Sequence, residues 1–152
     1  MADDGSAQGA TWPLPKFFFS IDLGDGKLQG FSEVSGLESD VKPIEYRHGD
    51  SPVFSPIKMP GLRSVGVVTL KKGVFAKDSV FWDWFNEAQL KIIKRRTVVI
   101  SLLDENATPK MTWTLTKAWP TKITGTDLKS DCDEVAIETL EIAYESLAVK
   151  AA

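Results

Sequence analysis

The segment that decides the architecture covers residues 43–61 and reads PIEYRHGDSPVFSPIKMPG. Its four prolines and two glycines prevent a helix or a central strand from running through it. It also carries large apolar side chains, each of which forfeits roughly 1.5–3 kcal/mol of burial if left in water. These are Ile44, Tyr46, Val53, Phe54, Ile57 and Met59. Because long ordered loops are usually functional, we predict an extended arm over residues 43–61 that buries its apolar groups against another subunit.

The overall composition is that of one soluble domain. At 152 residues the chain is long enough to bury a single core, and its 43% hydrophobic and 26% charged residues are ordinary for a soluble protein. A net charge of −3 lacks the basic surplus that nucleic-acid binding usually shows. The single cysteine excludes an internal disulfide bond, and no apolar run approaches the ~20 residues that span a bilayer.

The N-terminus, MADDGSAQGAT, is small, polar and acidic. It lacks the basic start and apolar centre of a secretory signal peptide. We therefore predict a flexible tail over residues 1–11 and a single domain over residues 12–152. The protein is expected to accumulate in the bacterial cytoplasm and to leave it by another route, such as host lysis.

Turn signals and apolar alternation predict strands on both sides of the arm. A strand over residues 17–23 leads through a turn at 24–26 into a strand near 28–37, and the sheet resumes at 65–70. The pattern as a whole predicts a mainly β fold, an antiparallel β-sandwich or barrel of about six to seven strands with one flanking α-helix and the long extended arm.

Three further strands are expected near residues 98–102, 111–119 and 135–149. In the last of them, the apolar phase flips between Ile137 and Leu140. A β-bulge at that point, or a strand covered on both faces, would explain the flip.

A helix is predicted over about residues 78–90, with Asp78 as its N-cap. Phe81 and Phe85 lie on the stripe expected to face the sheet, whereas Trp82 and Trp84 lie on its flanks. A helix that is aromatic around much of its circumference is normally covered on more than one side. We therefore expect Trp84 to contact a neighbouring subunit.

The sequence predicts no catalytic, cofactor or metal site. His48 has no ligand cluster at metal spacing, and Cys132 lies between two aspartates that should raise its thiol pKa. The acidic residues around it lack the glycine and distal glutamate of an EF-hand; they are Asp127, Asp131, Asp133 and Glu134. The glycines at 24–26 indicate a turn, because a third glycine and a following helix are missing.

The basic run over residues 91–96, KIIKRR, follows the predicted helix. Cations at a helix C-terminus offset the macrodipole, whereas basic residues in bulk bind phosphates. Helix termination with inter-subunit pairing to carboxylates is favoured over contact with nucleic acid.

Several segments resemble the tube proteins of bacterial extracellular contractile injection systems and contractile phage tails, which are related to the haemolysin-coregulated protein of type VI secretion. The segments are EYRHGDSP (45–52), IKMPG (57–61), FSEVSGL (31–37), VTLKKGVF (68–75), FWDWFN (81–86) and WPTKITG (119–125). The resemblance runs in order from about Leu14 to about Val149. It departs over the first dozen residues and at Cys132, where this family more often has a glycine.

The resemblance implies a structural subunit and no enzyme. It implies hexameric rings stacked into a hollow tube, a sheath around the tube, baseplate, spike and tube-terminating proteins at its ends, and protein cargo in its lumen. It also implies a final location in an injection particle or a phage virion. The alternative from another class is a monomeric β-barrel that binds a small ligand.

These expectations assign residues to two surfaces. The inter-subunit interface is predicted to include Tyr46, Val53, Phe54, Ile57, Met59 and Trp84. The lumen is predicted to be lined by polar residues of the strands around 28–37 and 65–72, namely Gln29, Glu33, Thr69 and Lys71. Thr112, Thr114 and Thr116 form the alternative lining.

Overall fold

The computed structural model describes residues 16, 18–24, 28–75, 79–87, 95–131 and 134–151. This part of the chain is mainly β, with one short helix. The elements are β1 (Phe19–Asp22), β2 (Leu28–Gln29), β3 (Glu33–Ser35), β4 (Ser39–Tyr46), β5 (Ile57–Val65), β6 (Val68–Gly73), α1 (Val80–Glu87), β7 (Arg96–Leu103), β8 (Pro109–Thr124), β9 (Ile137–Ala143) and β10 (Ser146–Ala151).

The described strands pair antiparallel, and β8 belongs to two layers. With its first half β8 pairs with β7 and β10, and β1 and β2 extend this first sheet beyond β7. With its second half β8 pairs with β9, and β6 and β3 extend this second sheet. The predicted antiparallel sandwich or barrel is therefore confirmed.

The two sheets are joined where β8 bends. Lys117 has a positive φ of 53° at the junction of the two halves, a backbone region that few residues other than glycine adopt. Directly across the ladder, the backbone N–H of Glu145 donates to the Thr116 carbonyl at 3.0 Å, between β9 and β10. The run predicted over residues 135–149 is thus two strands that follow β8 around its bend.

The core fills the space between the sheets and beneath the helix. Inward positions of β1, β6, β7, β8 and β9 alternate with half-exposed ones, as expected for strands with one covered face. The fully buried apolar side chains are Ile21, Leu23, Val68, Leu70, Phe81, Trp84, Val98, Ile100, Leu115, Ala118, Leu140 and Ile142.

The phase flip in β9 does not come from a bulge, so that part of the prediction was wrong. The pairing of β9 with β6 runs without a register shift from Ile137 to Ile142. Glu138 occupies an inward position and is only 5% exposed, whereas Ile137 points away from the core. Lys72, 2% exposed, lies directly opposite Glu138. Two charged side chains therefore take inward positions at the end of the core, and the Lys72 ammonium lies 4.9 Å from the Phe81 ring centroid.

The arm is a two-stranded hairpin formed by β4 and β5, and it begins earlier and ends later than residues 43–61. Pro43 pairs with Pro60 next to a register shift, which agrees with the restriction of proline to ladder edges and bulges. At the root, a Cβ on Gly36 (φ 86°) would lie 2.1 Å from the Val67 carbonyl oxygen. Glycine there lets the hairpin leave the sandwich close to β6.

Helix α1 begins directly after Ser79, whose hydroxyl donates to Asp83 Oδ2 at 3.0 Å. The predicted N-cap Asp78 and the predicted end near Leu90 lie outside the described residues. Phe81 and Trp84, three residues apart, share the face that packs on the sandwich. Phe85, predicted to face the sheet, is half-buried, and Trp82 is the exposed tryptophan at 42%.

The prediction that Trp84 contacts a neighbouring subunit is contradicted by this packing. Trp84 is 1% exposed within its own subunit, and the Arg96 guanidinium lies 5.4 Å from its ring centroid. Phe81 packs against Phe31 with 5.6 Å between ring centroids. The helix turns by 100° per residue, so Phe81 and Trp84 form the centre of the packed face and Phe85 lies at its edge.

Candidate functional site

One face of the arm hairpin is apolar and uncovered. Beyond the register shift, Ile44 pairs with Met59 and Tyr46 pairs with Ile57. Directly opposed residues on antiparallel strands point to the same side, so these four side chains form one patch. Their exposed fractions lie between 46% and 58%. We call them the arm patch.

The opposite face of the hairpin is polar and proline-rich. It carries Pro43, Glu45, Lys58 and Pro60, with Glu45 paired to Lys58. The Lys58 ammonium lies 4.0 Å from a Glu45 carboxylate oxygen, and both side chains are more than half exposed. An exposed pair of this kind adds little stability. The hairpin is therefore amphipathic, and no element that the structure describes covers its apolar face.

At the tip of the hairpin, side chains form hydrogen bonds with the backbone, whereas the apolar side chains are exposed to solvent. Arg47 Nε donates to the Val53 carbonyl at 3.2 Å, and the guanidinium lies 6.0 Å from the Phe54 ring centroid. The Tyr46 hydroxyl lies 3.1 Å from Nδ1 of His48. Phe54 is nevertheless 94% exposed and Val53 57% exposed. His48 thus makes its side-chain contact within the tip, with Tyr46.

The structure brings together five of the six predicted interface residues. Tyr46, Val53, Phe54, Ile57 and Met59 lie on the hairpin, whereas Trp84 lies in the core. The structure adds Ile44 at 51% and Leu62 at 92% exposure. Ile44 is one of the apolar arm residues that the sequence had already indicated, but Leu62 follows the predicted end of the arm and carried no comparable signal.

A second uncovered apolar surface lies at the other end of the sandwich, around the loop between β8 and β9. Gly73 pairs with Ile137, Val74 N–H donates to the Ala136 carbonyl at 2.9 Å, and Gly125 approaches Trp82. The exposed members of this loop surface are Val74, Phe75, Trp82, Leu128, Val135 and Ile137. The acidic residues Asp127, Asp131 and Glu134 are exposed on the same loop; Cys132 and Asp133 lie outside the described residues.

Three of the four predicted lumen residues share the outer face of the second sheet. Glu33 pairs with Lys71, and their charged groups are 3.4 Å apart. Thr69 lies two positions from Lys71 on the same side of β6. Gln29 does not join them, because its backbone pairs with Ile21 in the first sheet. The alternative threonines of β8 lie on the outer face of the first sheet, opposite β10.

The described end of the basic run makes ion pairs inside the subunit. Arg95 contacts the Glu145 carboxylate, and Arg96 Nη2 lies 2.8 Å from Glu87 Oε2. Residues 91–94 lie outside the described part of the chain. For Arg95 and Arg96 the predicted pairing with carboxylates is present, but the partners belong to the same subunit.

Comparison with known proteins shows which proteins the chain is similar to. A family model described as T4-like virus tail tube protein gp19 matches residues 15–148. The chain is 30% identical to a chain of an extracellular contractile injection system, the PVC sheath–tube complex in its extended state, with a TM-score of 0.86 over 94% of this chain and 95% of that chain. It is 29% identical to a chain of the anti-feeding prophage tube-terminating cap, with a TM-score of 0.86 over 100% of both chains.

A more distant likeness shows the fold alone. Hcp1 from Flavobacterium johnsoniae shares 12% identity with this chain, at a TM-score of 0.55 over 90% of this chain and 97% of that chain. No curated protein sequence matches the chain. In the part of the chain that the structure describes, no helix has both the length and the apolar composition needed to cross a bilayer.

Proposed function

Because this chain belongs to the T4-like virus tail tube protein family, we propose that it forms the inner tube of an extracellular contractile injection system as hexameric rings stacked around a hollow lumen. It is a structural tube component, and the small-ligand alternative has no support in the comparisons. Contraction of a sheath drives the tube through a target envelope, and the lumen delivers protein cargo.

The observation that carries the ring assembly is the amphipathic arm. The arm patch and the tip leave six large apolar side chains uncovered on one hairpin, whereas monomeric soluble proteins rarely expose contiguous apolar patches of this kind. A head-to-tail interface that closes into a ring needs two different complementary surfaces on each subunit. The arm supplies one surface, and the loop surface around Trp82 and Leu128 supplies the other.

The lumen is assigned to the outer face of the second sheet. Glu33, Thr69 and Lys71 give that face a mixture of charge and hydroxyl groups, which stays hydrated and allows cargo to slide. A single cysteine at Glu33 or at Thr114, in a Cys132→Ser background, tests the assignment by bulky-maleimide labelling of assembled tubes. Protection at Glu33 with free labelling at Thr114 is expected, and the reverse pattern would move the lumen to the first sheet.

The proposed partners follow from the relatives. A related chain forms a complex with a sheath, and another lies in a tube-terminating cap; this chain is proposed to meet a sheath along the tube, a terminator at one end, and a baseplate and spike at the other. Residues 12–152 are proposed to act as one domain behind a tail of residues 1–11. Assembly takes place in the bacterial cytoplasm, and the particle then acts outside the cell.

Negative-stain microscopy of the purified chain tests the proposal directly. Rings and tubes are expected for the unmodified protein, and a linker of glycine and serine in place of residues 46–59 should abolish them. The variant should remain a folded monomer, because the buried core contains no residue of that segment. Size-exclusion mass and a cooperative thermal transition confirm the folded state. Normal tubes from the linker variant would show that the arm is not the assembly element.

A further inference from the structure

The loop between β8 and β9 borders a groove of about 1020 Å³. Residues 124–130 and 134–137 line it, and we refer to it as the loop groove. Two of its apolar side chains are almost bare, with Leu128 91% exposed and Val135 79% exposed. Large apolar side chains in this state gain burial energy only if another surface covers them.

Each of these two apolar side chains follows a carboxylate in the chain. Asp127 precedes Leu128, and Glu134 precedes Val135. Both carboxylates line the groove, and neither forms an ion pair with a residue that the structure describes. Lys129 is the one cation among the lining residues that the structure describes. The loop groove thus combines apolar walls with an excess of negative charge.

The tip of the arm has the complementary composition. Phe54 is 94% exposed, and the Arg47 guanidinium lies 6.0 Å from its ring centroid. Arg47 also donates hydrogen bonds to the carbonyls of Val53 and Ser51, at 3.2 Å and 3.4 Å, which hold the charge beside the ring. Within the described part of the chain no carboxylate forms an ion pair with Arg47, Asp50 of the tip included.

The arm and the loop groove belong to opposite ends of the sandwich. Strand β6 begins at Val68, close to the root of the arm, and ends at Gly73, which pairs with Ile137 in the lining of the loop groove. Two different surfaces at opposite ends of a subunit meet when a second copy is added in the same sense. This is the head-to-tail arrangement from which rings and filaments are built.

We propose that the arm tip of one subunit enters the loop groove of a second copy, with Phe54 against Leu128 and Val135 and with Arg47 opposite Glu134. The inference rests on the proposed tube function, because the occupant is another subunit. Charge selects the loop groove over a second arm tip as the partner, since two tips would place their arginines against each other. The apolar contact supplies affinity, and the charges set the orientation and reject the wrong pairing.

Mixing two variants that each lack one of the surfaces tests this contact. The tip variant, Arg47→Gln/Phe54→Ser, keeps the loop groove, and the loop variant, Leu128→Ser/Glu134→Gln, keeps the arm. Each variant alone should sediment as a monomer. An equimolar mixture should form a species of about twice the monomer mass, because one intact tip and one intact groove remain in it.

The contrary outcomes of the mixing experiment are specific. A loop variant that assembles like the unmodified chain would overturn the inference, and so would a mixture that stays monomeric. Glu105→Gln removes an exposed carboxylate in the turn between β7 and β8 and is the matched control. It should assemble like the unmodified chain. Circular dichroism establishes that each variant is folded.

Charge reversal within one chain provides a second measurement. Glu134→Arg should raise the critical concentration for assembly about tenfold or more, because it sets two cations against each other. Addition of Arg47→Glu to the same chain should recover most of that rise. A folded double variant without recovery would overturn the contact between the two residues.

The unmodified chain separates this inference from the tube function on which it rests. Tubes from both the unmodified chain and the loop variant, seen by negative-stain microscopy, would overturn the arm-tip contact and leave the tube function standing. Absence of tubes from the unmodified chain would overturn the tube function itself.

Discussion

The arm hairpin and the β7–β8 pair are both long antiparallel ladders with alternating apolar side chains, yet one is bare and the other buried. In β7–β8, Val98, Ile100 and Leu115 are at most 2% exposed. In the arm, Ile44, Tyr46, Ile57 and Met59 are each about half exposed. The alternation is comparable, and the difference is whether a second layer lies opposite. The second sheet and α1 cover β7–β8, whereas none of the described elements covers the apolar face of the arm.

Prolines add a second difference between the two ladders. Pro43 and Pro60 face each other in the arm, and neither has a backbone N–H to offer a further strand. Strand edges without donors resist uncontrolled pairing. The arm is therefore suited to association through its apolar face and protected against association through its edges. The predictions that follow test this division, from the largest expected effect on subunit stability to the smallest.

Helix α1 belongs to the buried part of the subunit and not to the exposed arm. Trp84→Ala should lower the free energy of unfolding by about 3–5 kcal/mol, because it empties a fully buried aromatic site. Urea titration measures the loss. Trp82→Ala is the control on the exposed flank of the same helix and should cost much less. Equal decreases in the free energy of unfolding for the two variants would show that the helix does not pack on the sandwich through the face that contains Trp84.

The two charged side chains that take inward positions at the end of the core, Lys72 and Glu138, are expected to be energetically coupled. Glu138 Oε2 is buried and has no hydrogen-bond partner among the described residues, and Lys72 lies directly opposite it. Lys72→Leu should cost about 3 kcal/mol in urea unfolding, since it leaves a buried carboxylate opposite an apolar side chain. Lys72→Leu/Glu138→Leu should recover most of that loss. A double variant no more stable than the single one would mean that the two residues do not interact.

The arm patch should matter for assembly and hardly at all for the subunit. Ile44→Ser/Met59→Ser removes an apolar pair that the subunit leaves half exposed, so unfolding should change by about 0.5 kcal/mol or less. The same variant should form no tubes by negative-stain microscopy. Glu45→Ser/Lys58→Ser changes the adjacent pair on the polar face and should still form them. Loss of tubes in both variants would indicate that the whole hairpin, rather than its apolar face, is required.

The smallest effect is expected at the turn that joins β7 to β8. Backbone N–H groups of Thr108 and Asn106 donate to Asp104, each at 2.9 Å. The Thr108 hydrogen bond is the leading cause of a lowered Asp104 pKa, with the nearby Lys110 also contributing and partial desolvation opposing it. The stability that this turn contributes is therefore present above the ordinary aspartate value of 3.8 and is lost as the pH falls through the lower pKa of the folded state.

Asp104→Asn should keep the acceptor oxygen and remove the titration. Urea midpoints measured from pH 6 down to pH 2.5 should fall less steeply at the acid end for this variant than for the unmodified protein. Exposed Asp50→Asn at the arm tip provides a matched change of charge. If Asp104→Asn does not change how steeply the urea midpoint falls at low pH, other carboxylates cause that fall.

Local pattern was enough to predict the strands, the helix and the arm. Period-two alternation in β7 and β8, the turn at residues 24–26 and the proline-rich arm each depend on neighbours along the chain, so they are visible without coordinates. The exposed apolar residues of the arm were predictable for the same reason. A segment that cannot enter the core leaves its large apolar side chains exposed in the isolated subunit. Five such side chains lie on the hairpin, namely Tyr46, Val53, Phe54, Ile57 and Met59.

Only the tertiary structure decided which of several equivalent positions faces inward. Trp84 and Phe85 both lie near the apolar side of α1, and the choice of Trp84 for the core depends on where the sandwich meets the helix. Glu138 points inward because the register of β9 on β6 is continuous and Lys72 lies opposite. Gln29 lies apart from Glu33, Thr69 and Lys71 because its backbone pairs with β1. Each outcome depends on contacts between residues far apart in the chain, and alternation along a strand states that two faces differ but not which of them is covered.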